Sequence, residues 1–149
     1  MRRRPANWCS GADSTAVITI GLDGKGDCVV THAETGTTLR TSKSPAFGGT
    51  GESFSSTDLL GIALGTCIAT DLEPVALRHG VALESIQIEV DKLLSVSPKR
   101  VEAFAVTVRI DQDVPEDILL RLRRAADACL VQRALHPDVR CTIVFERAP

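Results

Sequence analysis

The sequence predicts an α+β domain, with mostly antiparallel sheets packed around one long apolar helix. Three observations carry that expectation: short β-branched segments punctuated by Gly and Asp, an apolar run opened by hydroxyl and acidic residues, and two later segments alternating with a period of two. With 149 residues, 44% hydrophobic and 24% charged, the chain has the size and balance of a folded globular domain. Residues 1–13 are expected to form a flexible arm and residues 14–149 a single domain.

The elements follow in order. Thr15 to Ile20 is β-branched and strand-like, Asp23-Gly24 is a hairpin turn, and Cys28–His32 and Thr37–Thr41 continue a short meander. Residues 42–56 are rich in Ser, Gly, Pro and Thr and form a connecting loop. A helix then opens at Ser55-Ser56-Thr57-Asp58, where hydroxyls cap and a carboxylate meets the positive end of the helix dipole. Leu59, Leu60, Ile62, Ala63, Leu64, Cys67, Ile68 and Ala69 cover nearly every face, so this core helix is expected to be enclosed on all sides. Pro74 removes an amide and predicts a kink before the helix stops near His79-Gly80.

Ile86, Ile88 and Val90 alternate with polar residues, and Phe104, Val106, Val108 and Ile110 do the same after a turn near Ser97-Pro98-Lys99. These two strands should pair as a hairpin. Pro115 and Glu116 open a second helix whose stripe is Ile118, Leu119, Leu122, Ala125 and Ala126, with helical periodicity persisting through Leu130 and Leu135 to Pro137. A last strand, Val139 to Glu146, turns Val139, Cys141, Ile143 and Phe145 inward. So apolar a central helix beside so few strands points to burial against a second copy, that is, a homodimer.

Composition narrows the function. Lys and Arg number 17 against 19 Asp and Glu, with 4 Phe, 1 Trp and no Tyr, so neither a basic field nor stacking platforms exist for nucleic acid. The longest uncharged apolar run, Leu59–Thr70, is shorter than the roughly 20 residues that cross a bilayer, which gives an expectation of no membrane partner. Met1-Arg2-Arg3-Arg4 is followed by no apolar segment of the kind a signal peptide carries, so the expected location is the cytoplasm.

Five cysteines, at 9, 28, 67, 129 and 141, are odd in number, and no CxxC occurs. Neither a disulfide scaffold nor a metal site is expected, the histidines His32, His79 and His136 standing alone. Cys28 and Cys141 read as small hydrophobes of strands, and Cys9 falls in the arm. Cys67 and Cys129 sit among small residues on two helical segments, and both readings, packed core or reactive thiol, stay open on pattern alone. His79 reads as a helix C-terminal residue, and Arg121, Arg123 and Arg124 as a solvated face. Gly48-Gly49-Thr50-Gly51 lacks the context of a phosphate-binding loop.

Ser44-Pro45-Ala46-Phe47-Gly48-Gly49, Ser56-Thr57-Asp58-Leu59-Leu60-Gly61-Ile62-Ala63-Leu64-Gly65-Thr66-Cys67 and Ala128-Cys129-Leu130-Val131-Gln132-Arg133-Ala134-Leu135 together resemble the OsmC/Ohr family of osmotically inducible and organic hydroperoxide resistance proteins. The resemblance spans roughly residues 14–147. It implies an interwound homodimer with its central helices packed together and two sites at the subunit interface. It further implies a thiol-dependent reductase of organic hydroperoxides, in which Cys67 attacks the peroxide and Cys129 resolves the sulfenic acid as an intrachain disulfide. No bound cofactor is implied, only an external dithiol reductant such as lipoamide. The family's site also holds an Arg steadied by a Glu. Here the position of that Glu, ten residues before Cys67, is Thr57, with Asp58 beside it, and the second motif reads Cys129-Leu130 where the family usually has Cys-Pro. Arg40, ahead of the glycine-rich loop, is the candidate for the Arg that binds substrate. Loss of the Glu leaves a second reading, a stress-response dimer of the same fold that binds a small apolar ligand without catalysis.

Overall fold

A computed structural model describes residues 17–24 and 26–147. The expected arm at 1–13 and the first residues of the first strand lie outside the described residues. The chain divides into two compact units, with the boundary between Ser55 and Ser56.

The first unit is a three-stranded antiparallel sheet in the order β1 (Ile18–Leu22), β2 (Cys28–His32), β3 (Thr38–Thr41). Its register, Ile20↔Val30 and Val30↔Leu39, follows the expected meander. Every residue of β1 is exposed, including Ile18, Ile20 and Leu22. The loop after β3 is a hydrogen-bonded structure: Ser42 Oγ donates to the Ser53 carbonyl, the Ser53 amide donates back to Ser42 Oγ, and the Ser53 hydroxyl donates to the Arg40 carbonyl.

The second unit opens with α1 (Ser56–Arg78), 23 residues that run continuously through Pro74. After it comes a hairpin of β4 (Ile86–Val96) and β5 (Lys99–Ile110), then α2 (Glu116–Asp127), α3 (Leu130–Ala134) and β6 (Arg140–Arg147). The sheet order is β4-β5-β6, antiparallel on one side of β5 and parallel on the other. The parallel pair arises because α2 and α3 carry the chain back across the sheet, as any parallel neighbour requires.

One face of this sheet makes the core. Phe104, Val106, Val108 and Ile110 of the central strand are buried, with Val90 and Ile143 opposite Val106 on either side. Against them pack Leu64, Ile68, Leu72 and Ala76 of α1 and Ile118, Leu122 and Ala126 of α2, residues repeating at helical spacing. Each large side chain so buried contributes about 1.5–3 kcal/mol. Gly65 brings α1 close to the sheet: a Cβ there would stand 3.0 Å from Val90 Cγ2. Gly80, at φ +76, lets the chain turn back after α1, and the Val81 amide closes the helix end on the Ala76 carbonyl.

Within a single chain helix α1 buries one face only, leaving Ile62 and Leu77 exposed; the cover expected from the sequence is a second copy. By length and composition alone it also passes for a membrane span, although its buried face belongs to this core. One expectation is corrected: the second helix does not run on through Leu130. It ends at Asp127, its last amides, Ala128 and Cys129, reach back only three residues, to Ala125 and Ala126, and Cys129 takes an extended ψ of 128° before α3 begins. The break rotates Cys129 into the core and leaves Leu130 exposed, with no proline needed to impose it.

Candidate active site

Cys67 lies at the middle of α1, half-buried, one residue off the line of Leu64, Ile68 and Leu72. Cys129, fully buried, caps the short α3. The break between α2 and α3 and the packing of α1 bring the two sulfurs together with a carboxylate oxygen of Asp71, all three atoms within 4.8 Å of one another. Cys67 Sγ donates to Asp71 Oδ2 at 3.7 Å. Asp71 is one turn beyond Cys67 on the same face, the spacing at which helical side chains meet.

Burial pushes the Cys129 thiol above its ordinary range, and its hydrogen bond to Cys67 adds to the effect; the backbone N–H groups of Gln132 and Val131 pull the other way. Cys129 is thereby held as a proton-bearing thiol that donates to the Cys67 sulfur, while Cys67 donates to Asp71. A line of two thiols ending in a carboxylate results. Such a line can move a proton from sulfur to Asp71, form a disulfide, or offer soft ligands to a metal ion.

The other candidates have surroundings of their own. Arg40, on β3, is engaged by Asp23 at 3.3 Å and Asp27 at 3.5 Å, both flanking the β1–β2 turn. Cys28 and Cys141 are partly buried in strands, Cys141 among core side chains that push its thiol upward by desolvation. Cys9 lies outside the described residues. Of the histidines, His32 bonds Thr35, His136 faces Asp138, and His79 is exposed at the end of α1.

Two polar residues on these elements escaped the sequence reading. Asp71 is the first, and its signal was an acid four residues after a cysteine on an otherwise apolar helix. Lys92 is the second: its ammonium donates to Thr57 Oγ1 at 2.9 Å and pairs with the Asp58 carboxylate. Lys92 is in phase with the inward-facing Ile86, Ile88 and Val90, and a lysine on that face of a strand was the sign. Thr57 and Asp58 therefore serve as one anchor at the start of α1, and its cation comes from the sheet.

A family model described as OsmC-like protein matches residues 49–144. No curated protein matches the sequence significantly. Among solved structures, an osmotic stress induced and detoxification response protein from Psychrobacter arcticus superposes with a TM-score of 0.83 at 21% identity, over 91% of this chain and 99% of that one. An organic hydroperoxide resistance protein OsmC from Legionella pneumophila gives 0.75 at 16% identity, over 91% and 98%. The organic hydroperoxide resistance protein OhrB of Bacillus subtilis gives 0.65 at 18% identity, over 89% and 98%. At these identities the likeness establishes a shared fold.

Proposed function

The chain belongs to the OsmC-like protein family, and from that premise we propose that it reduces organic hydroperoxides through Cys67 and Cys129. The observation that carries the reading is the approach of the two sulfurs and Asp71 to within 4.8 Å. Two thiols from different elements, one half-buried and one enclosed, meet where attack and resolution must follow each other.

In this reading Cys67 loses its proton to Asp71, and the thiolate attacks the terminal oxygen of the hydroperoxide. The S–O bond forms, the O–O bond breaks, and the departing alkoxide leaves as the alcohol after taking the proton back from Asp71. Cys67 is then a sulfenic acid. Cys129 gives up its proton, its sulfur attacks the Cys67 sulfur, and the hydroxyl group leaves as water with the disulfide in place. An external dithiol, of which lipoamide is one, reduces the disulfide by two thiol exchanges. Reaction inside the enclosed pair keeps the sulfenic acid from a second peroxide.

A cation is needed to stabilise the thiolate and the leaving oxygen. Arg40 serves in this proposal, exchanging its contacts with Asp23 and Asp27 for the substrate. The protein acts as a homodimer in the reducing cytoplasm; the open face of α1 with Ile62 and Leu77, and the apolar side chains exposed along β1, supply surface for a second copy.

The test is turnover of an alkyl hydroperoxide with a dithiol reductant. Cys67→Ser should reduce consumption to the uncatalysed background, whereas Cys129→Ser should complete one turnover and leave a sulfenic acid that a dione reagent traps. Equal consumption by the wild type and Cys67→Ser would contradict the reading.

A further inference from the structure

The same three side chains have the composition of a ligand set for a soft metal ion. Two thiols and one carboxylate converge from α1 and the start of α3, with their donor atoms within 4.8 Å of one another. Around a tetrahedral zinc-type ion, sulfur at about 2.3 Å and carboxylate oxygen at about 2.0–2.2 Å stand about 3.5–3.7 Å apart. Cys67 Sγ and Asp71 Oδ2 are 3.7 Å apart.

One further observation points to a cation. Asp71 makes no ion pair among the described residues, although it is half-buried beside a sulfur. That is a charge a cation would compensate.

We propose that Cys67, Cys129 and Asp71 of the reduced protein bind one thiophilic divalent cation of the zinc class, with a fourth position left open. Two thiolates exclude magnesium and calcium, which take oxygen ligands, and favour zinc, cobalt(II) or cadmium. Entry is from the side of Cys67 and Asp71, since Cys129 is fully buried. The ion occupies the sulfur lone pairs that would attack a peroxide, so the metal-loaded and peroxide-reactive forms exclude one another. Oxidation to the Cys67–Cys129 disulfide removes two of the three ligands and releases the ion. This site requires the thiols to be reduced and close, and it does not depend on a peroxide being the substrate.

The experiment is an anaerobic titration of the reduced, full-length protein with cobalt(II), followed by absorption. Sulfur-to-cobalt charge transfer in the near ultraviolet and strong tetrahedral bands in the visible are expected, saturating at one ion per chain and bleached by zinc. Cys67→Ser should remove most of the charge-transfer intensity, as should Cys129→Ala, chosen because serine could unfold so buried a position. Asp71→Asn should keep the charge transfer and weaken cobalt binding by at least about tenfold. Diamide, which makes the disulfide without peroxide, should release the ion. A folded, reduced protein without these bands in a large excess of cobalt, or bands unchanged in Cys67→Ser, would overturn the proposal. Peroxide consumption without a cobalt band removes the metal site and leaves the peroxidase reading standing; a cobalt band without peroxide consumption does the reverse.

Discussion

Helix α1 carries two carboxylates with different company. Asp58, in its first turn, is joined with Thr57 to Lys92 of β4. Asp71, farther along, accepts from Cys67 and has no cation paired with it among the described residues. The same residue type on the same helix is an anchor at one end and a hydrogen-bond acceptor for a thiol in the middle. What separates them is the opposing side chain: a lysine fixes the charge of Asp58, while a thiol leaves that of Asp71 available for chemistry.

That contrast can be broken by exchange of roles, beginning with the largest effect. Asp71→Asn should lower the rate of peroxide consumption by roughly 10- to 100-fold near neutral pH, because Cys67 loses the base that takes its proton. The loss should shrink as pH rises and solvent removes the proton instead; a loss independent of pH would make Asp71 a packing residue. Next comes the resolving step. Burial raises the Cys129 thiol above its ordinary value, and only the thiolate attacks, so its reactive fraction falls as pH falls. Disulfide formation after sulfenic acid should therefore accelerate about tenfold per pH unit between about pH 6 and 8.5. Stopped-flow kinetics showing a flat profile there would contradict the assignment.

Smaller effects sharpen the other end. Lys92→Met should cost about 0.5–1 kcal/mol in urea unfolding, since this ion pair is partly open to solvent and screened, and should leave the thiol chemistry within about twofold. A collapse of turnover instead would move the start of α1 into the catalytic site. Arg40→Gln should raise KM more than it lowers kcat if Arg40 binds substrate, by about a few-fold given the competing hold of Asp23 and Asp27.

Much of the fold could be read from period and punctuation. The alternation of Ile86, Ile88 and Val90 and of Phe104 to Ile110 marked the hairpin, and the stripe Ile118, Leu122, Ala126 marked α2. The parallel pairing of β6 was not legible, because alternation tells which face a residue takes and not which neighbour its strand chooses. Nor was the break before Cys129: Ala128-Cys129-Leu130 carries no helix-stopping residue, and it is settled by the burial of Cys129. At the site, the cysteines were visible as a family pattern. Asp71 and Lys92 were not, since each is a charged residue on a mainly apolar face whose meaning depends on what lies opposite. The open face of α1 agrees with an apolar circumference larger than one chain can cover, for which a second copy is the expected cover.

The most direct measurement is mass spectrometry of the protein digested after exposure to one equivalent of an alkyl hydroperoxide, without reductant. One dominant cross-link is expected, joining the peptide of Cys67 to that of Cys129 within a single chain, with Cys28 and Cys141 reduced. Both Cys67 and Cys129 still reduced, or Cys67 carried on to sulfinic acid with Cys129 unoxidised, would contradict it.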